Sequence, residues 1–236
     1  MSKKNITMKK LILLLCFFAM PLLMLAQKGS YFGFQGTFYN TWVINQQKYD
    51  YQFLPDFDYE VTTGQSFGLK AGYKFTENLG IQLEGRLTSV GQDYERVDGN
   101  LLSTKELSFR YLQFPLLLKF NGGESGNLVR FYGLIGPSFG ILTKAEERYN
   151  VSIPVFQDIE TTENRRDDVT NVDIAATLEF GAEFYLFSGL YLNLGLRLNM
   201  SISDINDEQY HDQDNYKPSR NAYGGINAGI NYILAR

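Results

Sequence analysis

The sequence of 236 residues contains only one cysteine, Cys16, and one histidine, His211. One cysteine cannot form a disulfide within the chain. Positive charge is also scarce: 22 Lys and Arg face 26 Asp and Glu, giving a net charge of −4, which argues against a nucleic-acid partner. After residue 26 no stretch has the period of an amphipathic helix, and no linker marks a second domain. At 44% hydrophobic and 15% aromatic residues, the chain is too apolar to be disordered.

The first 26 residues have the pattern of a secretory signal peptide. Four lysines precede the apolar run LILLLCFFAMPLLMLA, and Ala26-Gln27 follows as a cleavage site. The run is shorter than the roughly 20 residues of a membrane-spanning helix. We therefore predict a signal peptide at 1–26, starting at Met1 or Met8, and one domain at 27–236. Cleavage would remove four lysines and Cys16, leaving a mature chain of charge −8 with no thiol.

The mature chain is organised in eight segments whose apolar and polar residues alternate. In LYLNLGLRLNMSIS, for example, Leu192, Leu194 and Leu196 share one parity, whereas Asn193 and Arg197 share the other. Alternation with period two predicts β-strands with one apolar face. The eight segments are 31–42, 65–75, 79–89, 109–120, 128–142, 172–186, 190–203 and 221–234.

The connections between these segments alternate in length. Those at 76–78, 121–127 and 187–189 are short, and those at about 45–64, 91–105, 143–171 and 204–220 are long and polar. An even number of strands with short turns at one rim and long loops at the other is typical of outer-membrane barrels. We predict an all-β fold, an eight-stranded antiparallel up-and-down transmembrane β-barrel.

The alternating pattern also fits a secreted, soluble barrel with an apolar ligand cavity, as in lipocalins. Strand length favours the membrane, because the segments have 11 to 15 residues and strands of soluble proteins commonly have about 5 to 6. The polar parity is rich in small residues and in charges of both signs, which suits a narrow lumen. Aromatic residues near the strand ends, including Tyr31, Phe120, Tyr185, Tyr191 and Tyr232, are expected to form interfacial girdles.

Six charged residues lie on the polar parity and define the candidate site. They comprise three acids and three bases: Lys70, Glu84, Arg86, Glu179, Glu183 and Arg197. One interpretation is a gate for a small ion path. The other, which we favour, is a structural plug that neutralises itself, because an eight-stranded lumen has room only for side chains.

The long loops offer weaker candidates. His211 could act with Ser201, Ser203 or Ser219 on a lipid substrate, but no motif fixes a serine near it. The acidic loops 143–171 and 204–220 could bind Ca²⁺, although their spacing does not match an EF-hand loop. The aromatic first loop, NQQKYDYQFLPDFDYEV, could dock a partner. We expect no catalytic residue, no metal ligand and no cofactor.

The most diagnostic stretch is RYLQFPLLLKF, residues 110–120, followed by YGLIGPSFGIL at 132–142. These stretches resemble the PorT-like outer-membrane β-barrel family, with Arg110, Pro115, Lys119, Gly136 and Pro137 as the matching residues. The resemblance implies an eight-stranded barrel in the outer membrane of a Gram-negative bacterium. The resemblance implies no activity, since a role in type IX secretion belongs to the protein that gives the family its name and does not extend to every relative.

The function we predict is a non-enzymatic integral outer-membrane protein with a structural, adhesive or interaction role through long extracellular loops. An accessory role in a type IX-like secretion system is the first alternative, and a lipid-modifying enzyme is the second. The expected partners are outer-membrane lipid and lipopolysaccharide, the barrel assembly machinery, and a secretion-system or surface partner, with no nucleic acid.

Overall fold

A computed structural model describes residues 29–45, 57–99, 101–124, 127–152, 159–187, 189–211 and 216–234. The predicted signal peptide lies outside these ranges. The strands are β1 Ser30–Ile44, β2 Asp58–Glu60, β3 Thr62–Lys74, β4 Leu79–Asp98, β5 Leu101–Asn121, β6 Val129–Ser152, β7 Ile159–Asn164, β8 Val172–Phe187, β9 Leu190–Ser201 and β10 Arg220–Ile233. Two short 3-10 helices occupy Arg166–Asp168 and Glu208–Tyr210. None of the helices in the described ranges is long and apolar enough to cross a membrane.

Eight of the strands form a closed antiparallel ring. Its order is β3-β1-β10-β9-β8-β6-β5-β4, and β4 pairs again with β3. The first and last strands, β1 and β10, pair over their whole length from Tyr31↔Ile233 to Ile44↔Arg220. Closure leaves the ring without an edge, as lipid requires of a spanning sheet. The predicted eight-stranded barrel is confirmed.

The apolar parity of the strands forms the outer surface of the barrel. On β9, Leu196 is 63% exposed whereas the next residue, Arg197, is completely buried. Phe38 on β1 and Phe131 on β6 are likewise exposed on the outside. The predicted orientation is confirmed around the ring, and we call this band of exposed apolar side chains the lipid belt.

The glycines at 181 and 195 make room for the hydroxyl of Tyr132 on the inside of the wall. They are cross-strand partners on β8 and β9. A Cβ at Gly181 or Gly195 would lie 2.7 Å or 2.6 Å from the hydroxyl of Tyr132, which is too close for a side chain. Only glycine at both positions allows Tyr132 to reach its lumenal partners.

The prediction of a long loop at 91–105 is wrong. β4 and β5 continue through it and stay paired to Asp98↔Leu101. In the same way β6 and β7 occupy much of the predicted loop 143–171. The alternation indicates no strand here because the parity of the apolar residues reverses. Leu87 and Leu112 face outward, but beyond them apolar residues such as Val90 and Phe109 face inward, and polar ones such as Asp93 and Ser108 face outward.

The reversed segments form a second region, the loop-side extension, made of β2, β7 and residues 90–98, 101–109 and 144–152 of the long strands. Its interior and the adjoining end of the lumen hold a loop-side core of buried residues: Tyr39, Val43, Phe57, Val90, Tyr94, Leu107, Phe109, Tyr111, Leu142, Ala145, Val169, Ile205 and Tyr223. Phe57 belongs to the first long loop, so this residue packs inward and is not available for docking. Residues 46–56 of that loop lie outside the described ranges.

Candidate functional site

The centre of the lumen is crossed by a network of four buried charges. β4 contributes Glu84 and Arg86, β8 Glu179 and β9 Arg197, all on inward positions. Arg197 donates from Nη1 and Nη2 to the two oxygens of Glu84, at 2.8 and 2.7 Å, and from Nε to Glu179 at 2.6 Å. Because β4 and β9 lie opposite each other in the ring, Arg197 forms a crossbar through the barrel.

Arg86 completes the charge balance of this network. Its Nη1 donates to Glu84 at 3.2 Å, and its Nη2 donates to the hydroxyls of Thr37 and Ser66. Two carboxylates and two guanidinium groups thus neutralise each other without water-exposed partners. Such pairing is what makes buried charge tolerable.

A second cluster closes the lumen at the end where the short turns lie. Glu183 pairs with Lys119 and more distantly with Lys74, at 3.9 Å. The Lys119 ammonium stands 4.6 Å from the ring centre of Tyr31 and 5.6 Å from that of Tyr191. Cation–π contacts and an ion pair therefore hold this lysine in place.

Lys70 lies between the two clusters. Its ammonium donates to the side-chain oxygen of Asn193 at 2.8 Å, and Asn193 in turn donates to Tyr132 at 3.3 Å. Of the six predicted residues, four therefore meet in the central network, Glu183 belongs to the turn-side cluster, and Lys70 joins the two through Asn193.

Reasoning from the sequence missed two lysines of the turn-side cluster. From the sequence, Lys119 enters only through the family resemblance, and Lys74 is not among the predicted site residues. Both lie on the inward parity of their strands, as Lys70 does on β3. Applying the parity rule to every charged residue would have found them.

Three of the tyrosines predicted for the interfacial girdles belong to the lumen. Tyr31 and Tyr191 are completely buried, and Tyr185 donates to Glu183 at 2.8 Å. The girdle prediction is wrong for these residues because strand ends carry aromatic residues on both faces. Phe120 and Tyr232 do lie on the outer surface.

Most of the residues that carry the family resemblance act through the backbone of β5 and β6. Pro115 on β5 faces Ser138 next to Pro137 on β6, and proline offers no N–H to a ladder. A Cβ at Gly136 would lie 2.1 Å from the carbonyl oxygen of Leu116, so only glycine allows this approach. Arg110, in contrast, is exposed on the outer surface, at the loop-side limit of the belt.

His211 lies in the last long loop and is held by Asp204, 3.3 Å from its Nε2. Tyr216 also donates to Asp204, and the rings of Tyr216 and His211 are 4.7 Å apart. The three candidate serines bond elsewhere: Ser201 and Ser203 donate to Asp173, and Ser219 accepts from Asn206. In the described part of the chain the histidine thus has an acid partner and no nucleophile.

The described residues of the acidic loops form no metal centre. Within the described ranges, no three His, Cys, Asp or Glu residues are placed to share a metal ion. Asp212 and Asp214 lie outside those ranges. On the outer face of the extension, Asp93 faces Glu106 and Glu60 across neighbouring strands. Burial raises the pKa of Asp93 above its ordinary value, and repulsion from these two carboxylates adds to the shift.

A match to a family model agrees with this architecture. The sequence model of the outer membrane protein beta-barrel domain matches residues 25–207, whereas no curated protein sequence matches significantly. The fold is similar to Neisserial surface protein A, at 13% identity and a TM-score of 0.44 over 87% of this chain and 97% of the other. A further similar structure is OprG of Pseudomonas aeruginosa, at 12% identity and a TM-score of 0.42 over 87% of this chain and 96% of the other. Another is Ail of Yersinia pestis, at 13% identity and a TM-score of 0.37 over 87% of this chain and 100% of the other. The chain belongs to the outer membrane protein beta-barrel domain family, and its location is the outer membrane.

Proposed function

We propose that this barrel is a non-enzymatic surface protein that makes contacts through its loop-side extension, with that extension on the outside of the cell. The observation that supports this proposal is that β4, β5 and β6 extend well beyond the lipid belt and have a core of their own. Loops that served only to connect strands would not need a folded core. A rigid, elevated platform is what an adhesive or docking role requires.

The far rim of this platform is apolar. Val97, Leu101, Leu102 and Ile159 are 67%, 40%, 37% and 59% exposed. Val97 and Leu102 are cross-strand partners at the end of the β4–β5 hairpin. Exposed apolar groups far from the membrane are typical of a surface that is covered by another molecule.

A pore function is not supported by the lumen. The loop-side core, the Arg197 crossbar and the Lys119 cluster lie one below the other along the barrel axis, so side chains cross the lumen at three levels. We assign the six predicted charges a structural role on this basis, together with Lys74 and Lys119. In the described ranges none of the three candidate serines pairs with His211. This arrangement supports the non-enzymatic proposal.

A PorT-like relationship and an accessory role in type IX-like secretion rest on the resemblance alone. A periplasmic partner would have to use the short turns, where Leu128 is the most exposed apolar residue at 73%. Cross-linking from this position to a second protein in intact cells would favour the accessory role.

Export by a signal peptide cleaved after Ala26 is a separate proposal, and mass spectrometry of the mature N-terminus tests it.

The adhesive proposal is tested by displaying the chain on Gram-negative cells and measuring autoaggregation and retention on polystyrene. The rim variant combines Val97→Ser, Leu102→Ser and Ile159→Ser, and Val61→Ser serves as a control because Val61 is 79% exposed but lies outside the rim. We expect autoaggregation and retention of the rim variant to fall to the level of cells without the protein. The control should match the wild type in both. Equal retention of rim variant and wild type, at equal surface yield, contradicts the proposal.

A further inference from the structure

Three cations stand where the lipid belt ends on β5 and β6. Arg110 and Lys144 are cross-strand partners at the β-bulge between these strands, and both are exposed on the outer face. They lie one step beyond Leu112 and Ile141, the last apolar residues of the belt on the two strands. This position is the height at which the headgroups of membrane lipids begin.

The third cation, Arg166, reaches the same place from the short helix after β7. Its Nη1 donates to the carbonyl of Thr143 at 3.2 Å, while the Thr143 hydroxyl donates to the carbonyl of Arg110 at 2.8 Å. The three residues Arg110, Lys144 and Arg166, which we call the belt-edge cluster, therefore surround Thr143.

The two arginines of the belt-edge cluster have no acidic partner among the described residues. Neither Arg110 nor Arg166 forms an ion pair with a residue in the described ranges, whereas Lys144 contacts Glu146 at 2.7 Å and is half exposed. An arginine without an ion-pair partner keeps its N–H donors available to an anion.

A hollow of about 190 Å³ adjoins Arg110 and Lys144 of the cluster, whereas Arg166 does not line it. Its volume is several times the roughly 30 Å³ that one water occupies in the liquid. Its lining residues are Glu106, Ser108, Arg110, Lys144, Glu146, Arg148 and Thr162. The two acids are engaged, Glu106 by Arg148 at 3.0 Å and Glu146 by Lys144. The hollow therefore offers hydroxyl and guanidinium donors to an incoming anion.

We propose that the belt-edge cluster binds the phosphate-bearing headgroup of a glycolipid in the outer leaflet, such as lipopolysaccharide. Arginine recognises phosphate through paired N–H donors. A lipid is the expected source, because the acyl chains of such a ligand would lie along the belt directly below the cluster. The inference rests on the outward orientation in the proposed function and adds a ligand and a site to it.

The test uses native mass spectrometry of the complete barrel in detergent, with bisphosphorylated lipid A and its dephosphorylated form as probes. We expect the wild type to retain the phosphorylated lipid at least about tenfold better than the dephosphorylated form. Arg110→Gln should lower that preference about tenfold and Arg110→Gln with Arg166→Gln should abolish it. Lys217→Gln, which removes an exposed cation in another loop, should leave it unchanged.

Two results overturn the inference: equal retention of both lipid forms by the wild type, or an unchanged preference in the double variant. Displacement of the lipid by millimolar inorganic phosphate would also overturn it, since the site would then take the free ion. Lipid retention and cell adhesion are measured separately. A failure here leaves the rim experiment intact, and loss of adhesion in the rim variant does not affect lipid binding.

Discussion

The lipid belt and the loop-side extension use the same strands with opposite polarity. On β5, Phe114 faces outward and Gln113 inward within the belt, whereas Phe109 faces inward and Ser108 outward in the extension. The exchange takes place over a few residues, with the ladder to β4 continuing on both sides. One strand thus serves two solvents, because a period of two allows either face to be the apolar one.

The two regions must therefore be stabilised in different ways. In the belt the apolar groups face lipid, so the interior has to be held by ion pairs such as Arg197–Glu84. In the extension the apolar groups face each other, and the hydrophobic effect operates as in a soluble protein. Substitutions in the two interiors should accordingly fail for different reasons.

The largest effect is expected from Arg197→Met in the belt interior. Removing this side chain leaves Glu84 and Glu179 buried with one fewer cation, which costs about 3–5 kcal/mol. Urea unfolding in detergent, followed by heat-modifiable gel mobility, measures the loss. Adding Glu84→Gln should recover part of it, and a single variant as stable as the wild type would mean that the crossbar contributes nothing.

The next largest effect is expected from one of two phenylalanines on β5 that face opposite sides of the wall. Phe109→Ala leaves a cavity in the loop-side core and should cost about 3–5 kcal/mol. Phe114→Ala removes a ring from the lipid face, where acyl chains fill the space, and should cost clearly less. The same urea titration compares them, and equal losses would contradict the assignment of one ring to a core and the other to lipid.

Placing arginine on the outer face should distinguish belt from extension. Leu194→Arg puts a charge into the belt at about 2–4 kcal/mol near the midplane. Val97→Arg lies on an outward position of the extension, where water solvates the charge. Yields of folded protein after refolding into vesicles should fall only for Leu194→Arg, so a matching fall for Val97→Arg would place the rim in lipid.

The smallest effect concerns Asp93 on the outer face of the extension. Because its pKa is raised in the folded state, the folded chain binds the proton more tightly, and the residue destabilises the fold as pH rises through that pKa. Asp93→Asn should therefore stabilise near neutral pH by about 0.5 kcal/mol or less. The gain should vanish at about pH 3, below the unfolded value; a gain that persists there would exclude a charge effect.

The belt was predictable from the sequence because every strand in it repeats one rule, apolar outside and polar inside. The same rule located Glu84, Glu179 and Arg197. It could not show that Arg197 reaches Glu84 across the lumen, since that depends on the register of the strands and on the conformation of the side chain. The sequence of the extension predicts loops because its apolar parity is reversed. Phe57 and Tyr94 look like exposed loop aromatics but are buried. Their rings contact residues distant in sequence, Tyr149 and Tyr59.

The polarity exchange along β5 can be measured directly by spin labelling in lipid vesicles. Cys16 lies in the predicted signal peptide, so the mature chain offers a cysteine-free background for single cysteines at outward positions. Labels at Phe114, Leu116 and Leu118 should be accessible to oxygen and shielded from a water-soluble nickel complex, and labels at Glu106, Ser108 and Arg110 should show the reverse. Oxygen accessibility that continues unchanged to residue 106 would contradict the division of the barrel into a lipid belt and a water-exposed extension.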